Sequence, residues 1–398
     1  MVRVAINGYG RIGRVAHRVI LLSHMDEIEI VAINAGSSTD ITGWMYLLKY
    51  DTTYGQLQDM ELGVKKAEEI TLPFQSATPL IGAITINGKD IPVFSGREPE
   101  KLPWKDLNVD VVIESTGAFT TQEGLQKHIT AGAKSAILSA PFKDEASGSV
   151  YVIGVNLPQD GSGKIEGNIV SNASCTTNCI TPVAHVIETT FGIEKAMMTT
   201  IHGYTSDQSI QDGGHKDYRR ARAAAENIIP TSTGATKAAA RAIPALQGIF
   251  NGLAIRVPVP TGSLSDFTFL TKKPTTVEEV NKALEDAAKL PQFEGILQVT
   301  HDPIVSSDII GNFHSAIADL SLTQVVGGNM VKVIAWYDNE FGYSNRLVEE
   351  TILLGNQVTS GATQQIPPAP EAPASPDASQ GEPAPTQPSA PTGGPQTS

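Results

Sequence analysis

The sequence predicts an α/β protein: a mostly parallel sheet domain, an α+β domain after it, and a disordered Pro-rich C-terminal tail. Three observations predict this. Short apolar runs alternate with stretches at helical spacing over the first half, and longer strand-like runs take over from about residue 193. After residue 360 the composition changes to Pro, Ala, Ser and Gln. At roughly 100–200 residues per domain, a chain of 398 residues holds two or three domains.

The elements follow in order. Val2–Ile6 reads as a buried strand and Arg11–Ser23 as a helix, with Ile12, Val15, Val19 and Leu22 near helical spacing. Ile28–Ile33 is a second strand and Ile41–Leu48 a helical stretch. Val109–Glu114, Ala136–Ser139 and Val150–Ile153 continue the short apolar runs. Strand–helix alternation with Gly turns argues for helices on both faces of a parallel sheet. In the second half, strands are expected at Lys195–His202, Leu253–Val259, Phe267–Leu270 and Val331–Tyr337, with helices at Ala235–Leu246 and Val277–Leu290. Between them Gly203–Arg222 is polar and lacks apolar periodicity, and a loop of that length inside a compact domain is usually functional.

The tail, 361–398, holds 10 of the 25 prolines, three acidic residues and no Lys or Arg. It cannot bury enough apolar surface to offset its ordering entropy, and it is expected to be disordered with no identifiable partner. The expected division is a first domain of 1–174 with 338–360, a second of 175–337, and the tail.

Composition excludes several functions. The net charge of −13 argues against a nucleic-acid binder, which needs clustered Lys and Arg. No apolar run approaches the roughly 18 residues of a membrane span. The two cysteines cannot build a disulfide framework and indicate a reduced interior. Nor do they form part of a metal-ligand cluster, so no metal is expected. The opening MVRVAINGYG carries no secretory pattern, and a cytoplasmic protein is the expectation.

Asn7-Gly8-Tyr9-Gly10-Arg11-Ile12-Gly13 fits G-x-G-x-x-G between a strand and a helix, the Rossmann-type fingerprint. Gly8 permits the tight turn, Gly10 lets a pyrophosphate approach the backbone, and Gly13 lets helix pack on strand. Free N–H groups and the helix dipole then face the phosphates. The second strand decides which dinucleotide is bound. An NAD site usually ends it with an acid on the ribose hydroxyls. Here it ends Asn34-Ala35-Gly36-Ser37-Ser38-Thr39, and no carboxylate appears until Asp40. NADP is therefore expected to be accepted alongside or ahead of NAD.

Ser174-Cys175-Thr176-Thr177-Asn178-Cys179 follows a short strand and opens an apolar helical run. Cys175 thus sits at a helix N-terminus, where the dipole favours thiolate. Cys179, one turn on, reads as a packing residue. A nucleophilic Cys needs a base, and His202, at a strand end opening the long loop, is the candidate.

With these residues in view, the chain resembles a phosphorylating glyceraldehyde-3-phosphate dehydrogenase over residues 1–357. The resemblance is carried by NGYGRIGR at 7–14, LLKYDTTYG at 47–55, ESTGAFT at 114–120, SAPFKDE at 139–145 and SNASCTTNC at 171–179. It continues with MMTTIHGYTSDQ at 197–208, DYRRARAAAENIIPTSTGA at 217–235, NGLAIRVPVPTGSLSDFT at 251–268 and WYDNEFGYSNR at 336–346. It implies Cys175 as nucleophile, His202 as base, and a thioester released by inorganic phosphate as an acyl phosphate. It places Asn34, Ala35, Arg97, Ser115, Thr116, Gly117, Ser139, Asn339 and Tyr343 along the dinucleotide. It assigns the substrate phosphate to Thr205, Asp207 and Arg256. The attacking phosphate falls to Ser174, Thr176, Arg220, Thr233 and Gly234. A homotetramer is implied as well. Two departures, the missing acid near Ala35 and Gly213-Gly214 in place of a bulky Leu-Pro, match NADP-accepting members, which often run in the gluconeogenic direction. The alternatives are an erythrose-4-phosphate dehydrogenase and a non-catalytic binding protein on the same scaffold.

Overall fold

In the computed structural model, residues 1–144 and 148–361 are described; the tail expected from 361 onward lies, but for Gly361, outside the described residues. Seven helices are named here: α1 Arg11–Ser23, α2 Ile41–Lys49, α3 Gln122–Thr130, α4 Cys175–Phe191, α5 Ala235–Ala242, α6 Val277–Ala288 and α7 Phe341–Thr359.

The first sheet has nine strands. In spatial order they are Ser149–Val150, Ile169–Ser171, Ser135–Leu138, Val111–Glu114, Val2–Asn7, Ile28–Asn34, Lys89–Phe94, Leu80–Ile86 and Leu62–Lys66. The first seven run parallel. Their near-continuous Val, Ile and Ala reflects burial on both faces, as helix crossovers require. The last two strands are antiparallel. Leu80–Ile86 forms a hairpin with Lys89–Phe94, whose Asn87-Gly88 turn takes positive φ at both residues. That dipeptide between two apolar runs is the strongest hairpin signal in the chain, and the reading above passed over it. Val2–Asn7 lies between Ile28–Asn34 and Val111–Glu114, so the order reverses beside it. Ligands of open α/β sheets bind at the carboxyl ends of the strands at such a switch point.

The second sheet runs Ile229–Ser232, Phe250–Val257, Ile193–Gly203, Ser263–Thr271, Met330–Tyr337, Ala316–Asp319 and Leu297–Thr300, with Gln324–Val326 beside Met330–Tyr337. Ser263–Thr271 alternates buried and half-buried residues at every position, the signature of a sheet with one covered face. Helix α4 covers that face, and Phe267 stacks on Phe269 beneath it. The opposite face leaves Met197, Leu253 and Met330 exposed. Helix α7 returns to pack on α1 and on Val2–Asn7.

Two expected elements are shorter than anticipated. The helix expected at Ala235–Leu246 ends at Ala242, and Pro244–Leu246 forms a 3-10 turn, because Pro244 supplies no N–H to continue α5. Of Val150–Ile153 only Val150 joins a ladder, and Ile153 makes an isolated bridge to Leu157. Residues 204–228 form no strand or helix; the loop is tied internally, with Gly213 N–H donating to Ala221 O at 2.9 Å and Ala224 N–H to Ser209 O at 3.0 Å. Among the described residues no helix is long and apolar enough to cross a membrane.

Candidate active site

The dinucleotide end is built from the carboxyl ends of the central strands. Gly8 has φ +94°, and a Cβ there would meet Thr116 N at 2.6 Å; a Cβ on Gly13 would meet Gly8 O at 2.2 Å. Gly10 caps α1 with no side-chain bond to its first N–H groups, and nothing lies within 4 Å of where its Cβ would be. These uncapped donors above open space fit a pyrophosphate. Ser115 N–H donates to Asn7 O at 2.8 Å, and its hydroxyl to Gly8 O at 2.7 Å. The Asn34 amide donates to Asn7 Oδ1 at 2.6 Å, which ties two strand ends together. Ser139 N–H donates to Glu114 O at 3.0 Å at the next strand end, and Gly117 takes φ +71° in the loop between.

Three predicted residues sit differently from a simple ligand shell. Tyr9 is buried, its hydroxyl 2.7 Å from His17 Nδ1, so only its backbone faces the loop. Arg11 is held between Asp51, at 2.6 Å, and Glu340. Ile12 packs against the core. Glu114, which the sequence reading did not single out, is fully buried and organises the Thr116 loop. It accepts from Thr116 N–H at 2.8 Å, Asn7 at 2.5 Å and His128 at 3.0 Å. Its signal was a carboxylate ending an apolar strand, Val111-Val112-Ile113-Glu114.

At the end of Ile28–Asn34, the nearest carboxylate, Asp40, is committed to capping α2 through Gly43 N–H at 2.8 Å. Ala35 is buried, with its N–H on Phe94 O. Arg97 crosses from a distant loop to reach Ser37 Oγ at 2.9 Å.

The second half of the site starts at Ala173. The strand Ile169–Ser171 must turn sharply into α4, and Ala173 takes φ +54°, a strained conformation for a residue with a Cβ. The Tyr343 hydroxyl donates to its carbonyl at 3.3 Å. Ser174 then caps α4 by accepting from Thr177 N–H at 3.0 Å, and Cys175 is the first residue of the helix. Its Sγ lies 3.3 Å from His202 Nε2. His202 reaches it because alternation along Ile193–Gly203 puts His202 on the helix-covered face, where it is buried.

Burial and neighbouring charge act on both groups of this pair. Burial pushes the Cys175 thiol up, against an opposing pull from the Arg256 charge and the Thr176 hydroxyl. Burial, then Arg256, pushes His202 down to about 3. Cys179 is fully buried, its thiol also pushed up, with Ser265 Oγ at 4.0 Å.

Around this pair lie the polar groups assigned to anions. Arg256 is the register partner of His202 on the adjacent parallel strand. Its Nη1 is 3.1 Å from Thr205 Oγ1. Thr205 donates to Asp207, and Asp207 accepts from Arg220 at 2.9 Å. Gly234 caps α5 without a side-chain bond, above open space, while Thr233 accepts from Ala235 N–H. The Thr176 hydroxyl is buried against Tyr337 Oη at 3.0 Å, and Tyr337 also bonds Thr200 at 2.7 Å. Tyr337 is a second residue the sequence reading missed. Asn339 has its carboxamide oxygen held by Ser263 at 2.8 Å and Thr261 at 3.1 Å, while its NH2 makes no hydrogen bond to the described residues. A fixed, unpartnered amide donor fits the carboxamide of a nicotinamide.

Fold and arrangement together define a class: a nicotinamide-dinucleotide oxidoreductase with a thiol–imidazole pair at the junction of its two sheets. Comparison with known proteins narrows it. Residues 2–122 match the family model described as glyceraldehyde 3-phosphate dehydrogenase, NAD binding domain, and residues 174–339 the C-terminal domain of the same family. Glyceraldehyde-3-phosphate dehydrogenase 2 of Streptomyces avermitilis is 50% identical over 357 residues, covering 90% of this chain and 99% of that one. The Streptomyces coelicolor enzyme is similar to the same extent. Glyceraldehyde-3-phosphate dehydrogenase 2 of Trichormus variabilis is 48% identical over 349 residues, covering 88% and 97%. The chain belongs to the glyceraldehyde-3-phosphate dehydrogenase family and is an NAD(P)-using enzyme.

Proposed function

We propose that the protein catalyses the reversible oxidative phosphorylation of D-glyceraldehyde 3-phosphate to 1,3-bisphosphoglycerate, and that the residues assembled above carry it. The observation that carries this reading is Cys175 Sγ at 3.3 Å from His202 Nε2 at the start of α4. Cys175 attacks the aldehyde carbon while its proton passes to His202 Nε2. His202 returns that proton to the new alkoxide, giving a thiohemiacetal. The Cys175 N–H at the helix start and His202 stabilise the oxyanion. Asn339 would hold the carboxamide of the nicotinamide, a group that when bound would supply the hydride acceptor. His202 takes the hydroxyl proton as the carbon is oxidised, which leaves an acyl thioester on Cys175. Inorganic phosphate, positioned by Ser174, Thr176, Arg220, Thr233 and Gly234, attacks the thioester, and the sulfur leaves. Thr205, Asp207 and Arg256 hold the phosphate of the substrate.

NADP is accepted in this reading. Arg97 beside Ser37 supplies a guanidinium where an acid would otherwise repel a 2′-phosphate, and Asp40 is engaged as a cap. The division at 174/175 follows the two sheets, with α7 belonging to the first. The exposed Met197, Leu253 and Met330 on one sheet face support assembly as a homotetramer. Its unpaired thiols suit the cytoplasm.

The test is kcat/KM for glyceraldehyde 3-phosphate and erythrose 4-phosphate, each with NAD and NADP. A higher value with the four-carbon sugar would make it an erythrose-4-phosphate dehydrogenase. No turnover with either would leave a binding protein. A preference for NAD above about tenfold, 1.4 kcal/mol, would overturn NADP acceptance.

A further inference from the structure

We propose that His128, which lies too deep to touch a bound dinucleotide, is a positioning residue for one: through Glu114 it fixes the floor of the cleft beneath the Gly8–Gly13 loop. This rests on the assignment of that loop to the dinucleotide and not on which sugar phosphate is oxidised.

A row of polar side chains lies at one level of the first sheet. Asn7 is the register partner of Glu114 on one side and of Asn34 on the other. All three end apolar strands and are buried, as are His128 of α3 and Trp104. Hydrogen-bond chemistry fixes where the protons sit. The Trp104 indole N–H can only donate, and it lies 3.1 Å from His128 Nδ1. Nδ1 therefore accepts, which leaves the ring proton on Nε2, 3.0 Å from Glu114 Oε2. Asn34 donates to Asn7 Oδ1 at 2.6 Å, so the Asn7 amide nitrogen turns to Glu114 Oε2 at 2.5 Å. Thr116 gives its N–H, at 2.8 Å, and its hydroxyl to Oε1. Two donors on each oxygen fill the lone pairs of the carboxylate. Losing any one is costly, because Glu114 is fully buried and water does not replace it.

What Glu114 holds is the first glycine of the loop. On one side Gly8 N–H donates to Asn34 O at 3.0 Å. On the other the Ser115 hydroxyl donates to Gly8 O at 2.7 Å, and the Thr116 backbone presses so close that a Cβ on Gly8 would meet Thr116 N at 2.6 Å. Asn34 and Thr116 form the two sides of this grip. Both are tied to Glu114, one through Asn7 and one directly. The His128 N–H keeps the carboxylate from turning away from them. The grip lies beneath the part of the cleft that NAD and NADP share, so both should feel its loss equally.

The experiment compares two substitutions in the full chain. His128→Asn puts an amide where Nδ1 stood, within reach of Trp104 and short of Glu114. His128→Gln carries an amide N–H out to where Nε2 stood. Kd for NAD and for NADP is measured by titration calorimetry, with KM and kcat alongside. His128→Asn should weaken both dinucleotides by about tenfold, the scale of one hydrogen bond to a buried charge, and leave kcat at saturation unchanged. His128→Gln should restore wild-type binding of both. Unchanged Kd in His128→Asn, equal weakening in both variants, or a lower kcat with KM intact overturns the proposal. So does a loss confined to NADP, which would place the effect at Arg97, next to the Gly96 that Asn34 also holds. Should His128→Asn fail to fold, His128→Gln still decides: retained binding upholds the proposal and weakened binding overturns it. A wild type that binds neither dinucleotide overturns the loop assignment, and the proposal with it.

Discussion

At the residue scale the proposed chemistry depends on two side chains whose burial works against their ionisation. Burial raises Cys175 and lowers His202, against the opposing pull of Arg256 and the Thr176 hydroxyl on the thiol. Cys175→Ser replaces a polarisable sulfur by a hydroxyl far harder to ionise beside the same imidazole. Oxidative phosphorylation is expected to fall by at least about a thousandfold, the scale on which a lost nucleophile acts. Steady-state rates with unchanged cofactor binding would check this, and retained turnover would remove Cys175 from the role. Arg97 acts at the same scale. Its bond to Ser37 at 2.9 Å sets a guanidinium beside the strand end. Arg97→Ala should lower kcat/KM with NADP by about tenfold while leaving NAD nearly unchanged, the signature of one charge-assisted contact. Equal losses with both cofactors would mean that the side chain only holds the loop.

At the element scale, helix α7 carries a carboxyl into the interior. Glu350 is fully buried, with Oε1 unpartnered and Oε2 2.9 Å from the Asn172 amide nitrogen. Burial raises its pKa well above the ordinary 4.5. Folding therefore takes up a proton. The stability Glu350 contributes is complete below its ordinary value and is lost as pH climbs from there toward the raised one, at up to about 1.4 kcal/mol per pH unit. Glu350→Gln is neutral throughout, so its Tm should match wild type near pH 4 and exceed it increasingly above. A constant difference at all pH values would show that the carboxyl is not the cause. The turn into α4 is the other strained element, with Ala173 at φ +54°, its N–H donating to Ser171 Oγ and its carbonyl accepting from Tyr343. That strain aims the first residue of the helix at the cleft.

At the scale of the whole molecule, one face of the second sheet is left uncovered. Met197, Leu253 and Met330 share it, whereas the opposite face is closed by α4. Met197→Lys, on an exposed position, should leave the fold intact and lower the assembly state in sedimentation analysis. An unchanged state would place the interface elsewhere.

Much of this was legible in the sequence because local rules governed it. The Gly8–Gly13 spacing, the Ser174 cap and the strict alternation of Ser263–Thr271 each depend on neighbours a few residues away, and α1 occupies the span its periodicity set. The cysteine and histidine could be named from a helix start and a strand end. Other features depended on contacts between distant segments. Arg97 lies beside Ser37 because two loops 60 residues apart converge. Glu114 and Tyr337 became visible only through partners from other strands and helices. Charge was the least readable property of all. A helix dipole can be inferred from sequence, but desolvation comes from everything packed around the group, and here it is the largest influence on both Cys175 and His202. The amino-acid order determined which groups can meet; only their enclosure decided how much burial works on their charge, because the energy of an ion is set by how much water it has lost.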